Sequence, residues 1–471
     1  MDGTDSPRAA APMRALPACD SQGGQRGTDS AALIPEEIAQ TDEHASSTGA
    51  STDESPGPDP LPGPLARIPA LRSLGYPSFR WLWGTALLIG FGNWMQRLTV
   101  GWLVLDQTES VFLTAAVHAS RIVPNVVFGP IAGAIADRLP RRRLLIMTSA
   151  GKASVAVGLA AVAGIEVIPI WAVFLLVFTS GVTNTIEIPS AQALVVDITG
   201  RKDASNGIAL FSVATRTVAA FGALAGGVLI EIIGAGQVFL LGAAAFAAGA
   251  LAASRVKAAF RAAVWQDASG VLRNAVDGIR TIFRLPVAAM LLGMAFLVEI
   301  LGFSFQSVLP AVADRVLEIG PAGLGTLTSM AAIGGLAGSL GVTALADMRR
   351  KGVLMSAVSL VFGVALIGLG VSELFPLSLA VVLVAGMMAA AFDALQWTLL
   401  QANVPDEMRG RVMGGWIFAI GFGWLGSLQL GAVSELAGVQ AALALNGLML
   451  GVLGAGVLLL SGRMRRLGVE T

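Results

Sequence analysis

Four ionisable side chains lie deep inside long apolar stretches of this 471-residue chain: Arg97, Glu187, Glu299 and Asp393. A charge at the centre of a bilayer costs about 2.5–3.5 kcal/mol on insertion scales, so such residues bind a substrate, carry a proton or form ion pairs. Other polar residues share this apolar setting, namely Asn93, Gln96, Arg121, Arg216 and Gln396. We therefore predict that these nine residues contribute to substrate binding or to coupling.

A second group of charges lies in the segment 129–145, where four arginines fall within six positions: Arg138, Arg141, Arg142 and Arg143. Lysine and arginine near the end of a membrane span are retained in the cytoplasm, and this accounts for their number. It does not account for Gly133 and Asp137 at their spacing from the arginines, so this segment needs a second explanation.

The composition indicates an integral membrane protein. The chain is 55% hydrophobic and only 13% charged, with a mean hydropathy of +0.73, whereas soluble domains are about 25% charged. Cys19 is the only cysteine and His44 and His118 are the only histidines. A disulfide within the chain and a cysteine metal cluster are excluded, and we predict no cofactor and no metal.

About twenty apolar residues cross a bilayer as a helix, and such runs predict an all-α membrane protein with twelve spans. Their predicted bounds are 81–105, 111–134, 144–164, 169–193, 207–230, 236–254, 286–311, 322–346, 353–371, 376–400, 412–433 and 438–461. The even-numbered connections and both flanks are rich in lysine and arginine, whereas the odd-numbered connections contain a single basic residue, Arg315. By the positive-inside rule both termini are cytoplasmic.

The spans divide into two six-helix bundles. The predicted domains are a disordered cytoplasmic tail (1–72), an N-terminal bundle (73–254), a linker with an amphipathic helix (255–285), a C-terminal bundle (286–462) and a cytoplasmic C-terminal tail (463–471). A shift of 206 residues places Glu187 on Asp393. Internal repeats of this kind are typical of secondary transporters, whose sites lie near the midplane between the repeats.

The segment Gly133-Ala-Ile-Ala-Asp137-Arg138-Leu-Pro140-Arg141-Arg142 resembles GxxxDRxGRR, the loop signature of the major facilitator superfamily, with Pro140 where glycine is usual. Within that superfamily the chain is similar to the enterobactin-exporter and macrolide-efflux branch through 79–83, 94–97, 102–105 and 404–412. The resemblance covers roughly residues 75–462 and implies the twelve-helix fold of two pseudo-symmetric bundles. The chain departs from the antiporter pattern of span 5, where Ala219-Ala220 replaces Gly-Pro.

The resemblance gives the arginine segment its second explanation, a cytoplasmic latch between the bundles. In the superfamily, the acid at the position of Asp137 packs in space against the start of span 11. There its carboxylate faces the positive end of a helix dipole. Small residues there permit close approach, and Arg141 is expected to pair with Asp197 at the end of span 4. The predicted latch residues are Gly133, Asp137, Arg138, Arg141, Arg142, Asp197, Gly414 and Gly415.

The resemblance also implies that spans 1, 4, 7 and 10 line a central cavity, and these spans carry Arg97, Glu187, Glu299 and Asp393. Among the spans that face lipid, only span 3 carries a charge, Lys152 near its cytoplasmic start. Glu299 is the first candidate for a proton carrier and Asp393 the second, since removal from water favours the neutral form of a carboxyl group.

Purely structural roles remain open for several of these residues. Glu187 and Arg216 form an ion pair between adjacent helices in one alternative. In another, Arg97 holds span 1 to its neighbour, and Arg121 or Arg97 pairs permanently with Glu299.

We predict a secondary active transporter, not an enzyme, that exports an amphipathic small molecule such as a siderophore, a macrolide or another natural product by proton-coupled alternating access. Its predicted partners are this substrate, protons and the lipid bilayer of the cell membrane. We expect a multi-pass monomer that binds no nucleic acid. The alternatives are a uniporter or importer of a small organic solute or lipid with the same fold, an intramembrane enzyme, and a channel.

Overall fold

The computed structural model describes residues 69–257, 285–345 and 348–467, which all belong to the compact unit Pro56–Thr471. Most of the predicted tail (1–72) and of the predicted linker (255–285) with its amphipathic helix lies outside these described residues, as do residues 468–471 of the predicted C-terminal tail (463–471). At the end of the predicted N-terminal tail, Pro69–Gly75 forms a 3₁₀ helix. Arg72 Nε lies 3.3 Å from Asp203 Oδ1, and this contact helps to offset the entropy of ordering the segment.

Long helices make up most of the described residues, so the predicted all-α architecture is confirmed. In chain order they are α1 (Pro77–Thr108), α2 (Val111–Arg138), α3 (Arg141–Ala163), α4 (Ile170–Gly200), α5 (Lys202–Ile233), α6 (Ala235–Ser254), α7 (Pro286–Leu301), α8 (Gly320–Ala344), α9 (Lys351–Val371), α10 (Phe375–Ala402), α11 (Asp406–Gly421, continued as Gly423–Ala437) and α12 (Val439–Leu460). A short helix, α13 (Gly462–Arg466), follows.

In the described ranges, eleven helices are long and apolar enough to cross a membrane. The exception among α1–α12 is α1, which has 32 residues and at 1.5 Å per residue is about 48 Å long. Its length suffices, but the polar sequence Asn93-Trp94-Met95-Gln96-Arg97 lowers the apolarity of its central turns. The helix predicted as the first span is therefore not among these eleven.

The boundary between α4 and α5 is much shorter than predicted. The two predicted spans were separated by residues 194–206, but helical structure continues to Gly200 and resumes at Lys202. Gly200 has a φ of 67° and a ψ of 171°, in a region that residues with a side chain rarely adopt. A single glycine thus reverses the chain, and both helices extend well past their apolar cores.

Two helices are interrupted close to one another. The helix α7 ends at Leu301 and is followed by a 3₁₀ turn, Phe303–Ser307, and a π turn, Val312–Val316. The helix α11 is interrupted at Phe422, whose ring centroid lies 5.7 Å from that of Phe296 on α7. Interrupted helices at membrane depth occur in many transporters beside the substrate site.

Each half of the chain packs its own helices and then meets the other half. In the first half α1 packs against α5 and α6, and α3 packs against α6; in the second, α8 packs against α10 and α9 against α12. The halves meet where α5 contacts α8 and where α2 contacts the second part of α11. The candidate site lies along this junction.

Candidate functional site

A cavity of about 420 Å³ lies between the two halves. It is lined by six of the nine residues that the sequence singled out: Asn93, Gln96 and Arg97 from α1, Arg121 from α2, Arg216 from α5 and Asp393 from α10. Glu187, Glu299 and Gln396 are not part of this lining. The fold therefore brings most of the predicted polar candidates to one site, and both halves contribute to it.

Arg97 is held in the cavity by uncharged partners. One of its guanidinium nitrogens donates to Gln306 Oε1 at 2.5 Å, and its guanidinium carbon lies 4.8 Å from the centroid of the Trp94 ring. Gln306 was not predicted, although an amide in an apolar run is itself a sign of a buried hydrogen bond. Because Gln306 follows α7, this hydrogen bond joins the two halves of the molecule.

Two buried polar atoms of the site have no hydrogen-bond partner among the described residues, Arg121 Nε and Gln96 Oε1. Buried polar groups are almost always hydrogen-bonded, so each exception calls for an explanation. Both residues line the cavity. Their unsatisfied hydrogen-bonding capacity is therefore available to a bound molecule.

Arg216 and Asp393 line the cavity from different halves, α5 and α10. Their separation exceeds 4.0 Å, since no salt bridge between them is present among the described side chains. A basic and an acidic group thus share the cavity without forming an ion pair.

The proposed ion pair between Glu187 and Arg216 is wrong. Glu187 Oε2 instead lies 2.9 Å from Lys152 Nζ on α3, and the same nitrogen donates to Asn184 Oδ1 at 3.2 Å. The side chain of Lys152 is 0% exposed and that of Glu187 is 10% exposed. Although α3 was predicted to face lipid, Lys152 points into the bundle, where this pair compensates its charge.

Glu299 lies at the interruption of α11, beyond the cavity lining. Its Oε1 would be 2.6 Å from a Cβ added to Gly423. Within the described side chains no salt bridge joins Glu299 to Arg97 or Arg121, so the permanent pairing considered from the sequence is not observed.

Gln396 has a structural contact. Its Nε2 donates to the carbonyl oxygen of Leu291 on α7 at 2.9 Å, and its side chain is buried. This hydrogen bond ties α10 to α7, and Gln396 does not reach the cavity.

Part of the predicted latch is visible at the ends of α3 and α4. Arg141 Nη1 lies 2.6 Å from Asp197 Oδ1, as the sequence predicted, and both side chains are partly exposed. Arg142 donates to the carbonyl oxygen of Ser254 at the end of α6. Arg138 is exposed, and Gly415 is half-buried. The surroundings of Gly133, Asp137 and Gly414 lie outside the description, so the contact between Asp137 and α11 stays a prediction.

The two halves also meet at the start of α2 and the end of α11, which are the ends opposite to the predicted latch. Glu435 Oε2 on α11 accepts hydrogen bonds from the backbone N–H groups of Val111 and Phe112, at 3.0 and 3.2 Å. Arg315 donates to the carbonyl oxygen of Glu109. Gly227 of α5 lies so close to α8 that an added Cβ would be 2.8 Å from the Cα of Gly325. We call these contacts the closed end; the sequence did not predict them.

Several curated transporters are similar to this chain. It is 23% identical over 372 residues to the staphyloferrin A transporter of Staphylococcus aureus and 27% identical over 386 residues to the multidrug efflux pump Tap of Mycolicibacterium fortuitum, covering 78% of this chain and 92% of the relative in each case. It is 24% identical over 337 residues to the enterobactin exporter of Shigella flexneri, covering 71% of this chain and 80% of that protein. These relatives agree with the resemblance noted in the sequence.

Solved transporter structures share the fold. A bacterial homologue of the human lysosomal transporter Spinster, in an inward-facing and unoccupied conformation, superposes with a TM-score of 0.60 at 16% identity, over 83% of this chain and 97% of that one. The peptide transporter POT in complex with sulfate gives a TM-score of 0.68 at 14% identity, over 84% and 96%. Residues 69–469 match the family described as transmembrane secretion effector. The chain therefore belongs to the transmembrane secretion effector family of major facilitator superfamily transporters.

Proposed function

We propose that this transporter exports an amphipathic small molecule by proton-coupled alternating access, with twelve spans in the cell membrane and both termini in the cytoplasm. The observation that carries the proposal is the cavity between the two halves, lined by Arg97, Arg121, Arg216 and Asp393. Charges at this depth in a bilayer are costly and mark substrate or ion pathways. The twelve proposed spans are the eleven apolar helices and α1, whose polar central turns line the cavity.

The direction of transport is suggested by relatives whose names state export or efflux, the enterobactin exporter and the pump Tap. The substrate class follows from the same relatives and from the mixed lining of the cavity, in which Val117, Val177 and Leu324 accompany the charges. Such a lining suits a molecule that has an apolar body and a few polar groups.

Alternating access requires that the halves part at one side while they close at the other. The closed end, where Glu435 of α11 contacts the start of α2 and Gly227 packs against α8, is on the outer side in the predicted topology. The latch around Asp137 is on the cytoplasmic side. We infer that this conformation is inward-facing and that closing of the latch accompanies opening of the outer side.

Proton coupling is assigned to Glu299 and Asp393, carboxyl groups for which no salt bridge is present among the described side chains. A carboxyl group that is removed from water and has no ion-pair partner can hold and release a proton as its surroundings change. Asp393 lines the cavity and Glu299 lies beyond it. Protonation of either group therefore changes the charge at or beside the substrate site.

The test is a screen in everted membrane vesicles from cells that overproduce the protein, with a panel of fluorescent amphipathic compounds and an imposed proton gradient. We expect saturable accumulation of a subset that a protonophore abolishes. Accumulation that ignores the protonophore would contradict proton coupling. Flux that only equalises concentrations would identify a uniporter, and flux that does not saturate would identify a channel.

A further inference from the structure

We propose that the cavity selects organic anions, and that Arg97 and Arg121 bind an oxyanion group of the transported molecule. This assignment names the substrate class of the proposed exporter and rests on that function only for the claim that the bound molecule is transported.

The charge balance of the cavity is the first argument. Three arginines line it but only one carboxyl group, Asp393, which shares the cavity with Arg216 of the other half at a separation above 4.0 Å. The other two arginines, Arg97 and Arg121, have no carboxylate within 4.0 Å among the described side chains. The α1 and α2 side of the cavity therefore carries positive charge without a counter-charge.

The other acidic side chains considered for this site, Glu187 and Glu299, contact other residues. Glu187 is paired with Lys152 at 2.9 Å, and the carboxyl of Glu299 lies against Gly423 in the other half. Moving an unpaired charge out of water is costly unless a partner of opposite charge compensates it. A substrate with a negative group supplies that compensation while it is bound.

The orientation of Arg97 is the second argument. Gln306 accepts one N–H of its guanidinium at 2.5 Å and the Trp94 ring supports it at 4.8 Å. Both partners are neutral, so they fix the position of the guanidinium without removing its charge. A guanidinium has five N–H donors in a planar fork, which leaves donors for the paired oxygens of a carboxylate or a similar oxyanion.

The unsatisfied atoms are the third argument. Arg121 Nε is buried without a hydrogen-bond partner among the described residues, and leaving a buried donor of a charged group unsatisfied is costly. An oxyanion accepts from it. Gln96 Oε1, buried and equally unsatisfied, would accept from a hydroxyl or amide N–H on the same molecule. The preferred ligand is thus an anion with a hydrogen-bond donor and an apolar body.

The test is equilibrium binding to the purified full-length protein in detergent, followed by dansyl fluorescence. Four probes share one aromatic body and one sulfonamide donor: dansyl-glycine (carboxylate), dansyl-taurine (sulfonate), dansyl-glycine methyl ester (neutral) and dansyl-ethylenediamine (cation). We expect at least one anion to bind about tenfold more tightly than the ester and the cation, because charge-assisted bidentate bonds form only with the anions. Preference for both anions or for dansyl-glycine alone supports the proposal and defines the preferred group.

Variants connect that preference to the two arginines. Arg97→Gln and Arg121→Gln should weaken anion binding to the level of the ester and leave ester binding unchanged. Arg121→Lys, which keeps the charge but not the planar fork, should give an intermediate affinity. Arg465→Gln removes one charge from an exposed position on α13 and should retain the full preference. If Arg121→Gln fails to fold, Arg97→Gln and Arg121→Lys still provide the comparison.

The proposal is overturned if neither anion binds below about 1 mM, a free energy of about −4 kcal/mol, or if the ester or cation binds as tightly as the anions. It is also overturned if both glutamine variants keep the anion preference. Binding in detergent needs no gradient, so the outcome is separate from that of the vesicle screen. Selective anion binding without accumulation would contradict the exporter, whereas accumulation of cations only would contradict the anion site.

Discussion

Lys152 Nζ lies 2.9 Å from Glu187 Oε2 inside the first bundle, and no part of the lysine side chain is exposed. The pair joins α3 to α4, and Asn184 accepts a further hydrogen bond from the lysine. A buried ion pair contributes little net stability over apolar residues, but removal of one partner leaves an uncompensated charge. The pair is thus more sensitive to single than to double substitution.

We predict that Glu187→Gln lowers the free energy of unfolding by about 3–5 kcal/mol, because it leaves Lys152 charged and unpaired. The melting temperature of the purified protein should fall accordingly. Lys152→Met combined with Glu187→Met should recover most of the loss. Glu166→Gln, at an exposed position, is the matched control and should melt like the wild type. Equal melting of Glu187→Gln and wild type would disprove a role for this pair in stability.

The latch gives a prediction about transport without a large change in stability. The Arg141–Asp197 pair is partly exposed, and such pairs contribute about 0–1 kcal/mol. Arg141→Ala and Asp137→Asn should therefore insert and melt normally but transport at a small fraction of the wild-type rate. Asp137→Asn removes the charge that is expected to face the start of α11, and Arg141→Ala removes the pair that joins the ends of α3 and α4. Arg143→Ala, which removes an exposed arginine two positions on, should transport normally. Full transport by well-expressed Asp137→Asn protein would show that the latch is not required.

Glu299 gives a prediction that separates coupling from binding. Glu299→Gln should still exchange substrate across the membrane but should no longer accumulate it against a gradient or respond to external pH. The measurement is exchange and uphill uptake in the same vesicles. No ion pair of Glu299 is seen within the described residues, so this variant should not strand an arginine and should express normally. Uphill, pH-dependent transport by the variant would show that Glu299 is not the proton carrier and would leave Asp393 as the candidate.

Gly423 tests the same group by geometry. A Cβ at this position would lie 2.6 Å from Glu299 Oε1, so Gly423→Ala must displace the carboxyl. We expect Gly423→Ala to lose uphill transport as Glu299→Gln does, with exchange preserved. Gly293→Ala on α7, where nothing lies within 4 Å of an added Cβ, is the matched control. Normal coupling in Gly423→Ala would mean that the position of the carboxyl does not matter.

Glu435 gives a prediction about the closed end. Its carboxylate accepts from the first N–H groups of α2, where a negative charge interacts favourably with the helix dipole. Glu435→Gln should weaken this closure and expose the cavity to the outer side more often.

Cysteine labelling measures this opening. In a Cys19→Ser background, Thr328→Cys places a thiol in the cavity lining, and an impermeant maleimide is added from outside. Labelling should become several-fold faster with Glu435→Gln but not with Glu231→Gln, an exposed acid at the end of α5. An unchanged rate would rule out Glu435 as part of the closure.

The pairing of individual charges could be predicted from the sequence only where a motif fixed it. The Arg141–Asp197 pair was predicted because Arg141 occupies a position of a family signature that implies a partner acid at the end of span 4, where Asp197 lies. Arg216 carries no such positional information, and its assignment to Glu187 failed because Lys152, one helix away, reaches that acid first. The contact between Arg97 and Gln306 spans 209 residues, and no local pattern specifies which side chain meets which across two bundles.

The sequence by itself determined the class, the all-α architecture and most of the polar residues that line the cavity, because each apolar run must form a helix in lipid and each charge within it needs a reason. Only the tertiary structure decided which charges share the cavity, which are paired, and which end of the molecule is closed. Those outcomes depend on how helices far apart in the chain rotate and approach each other, as at Gly227 and Gly325. Hydropathy and residue spacing do not contain that geometry.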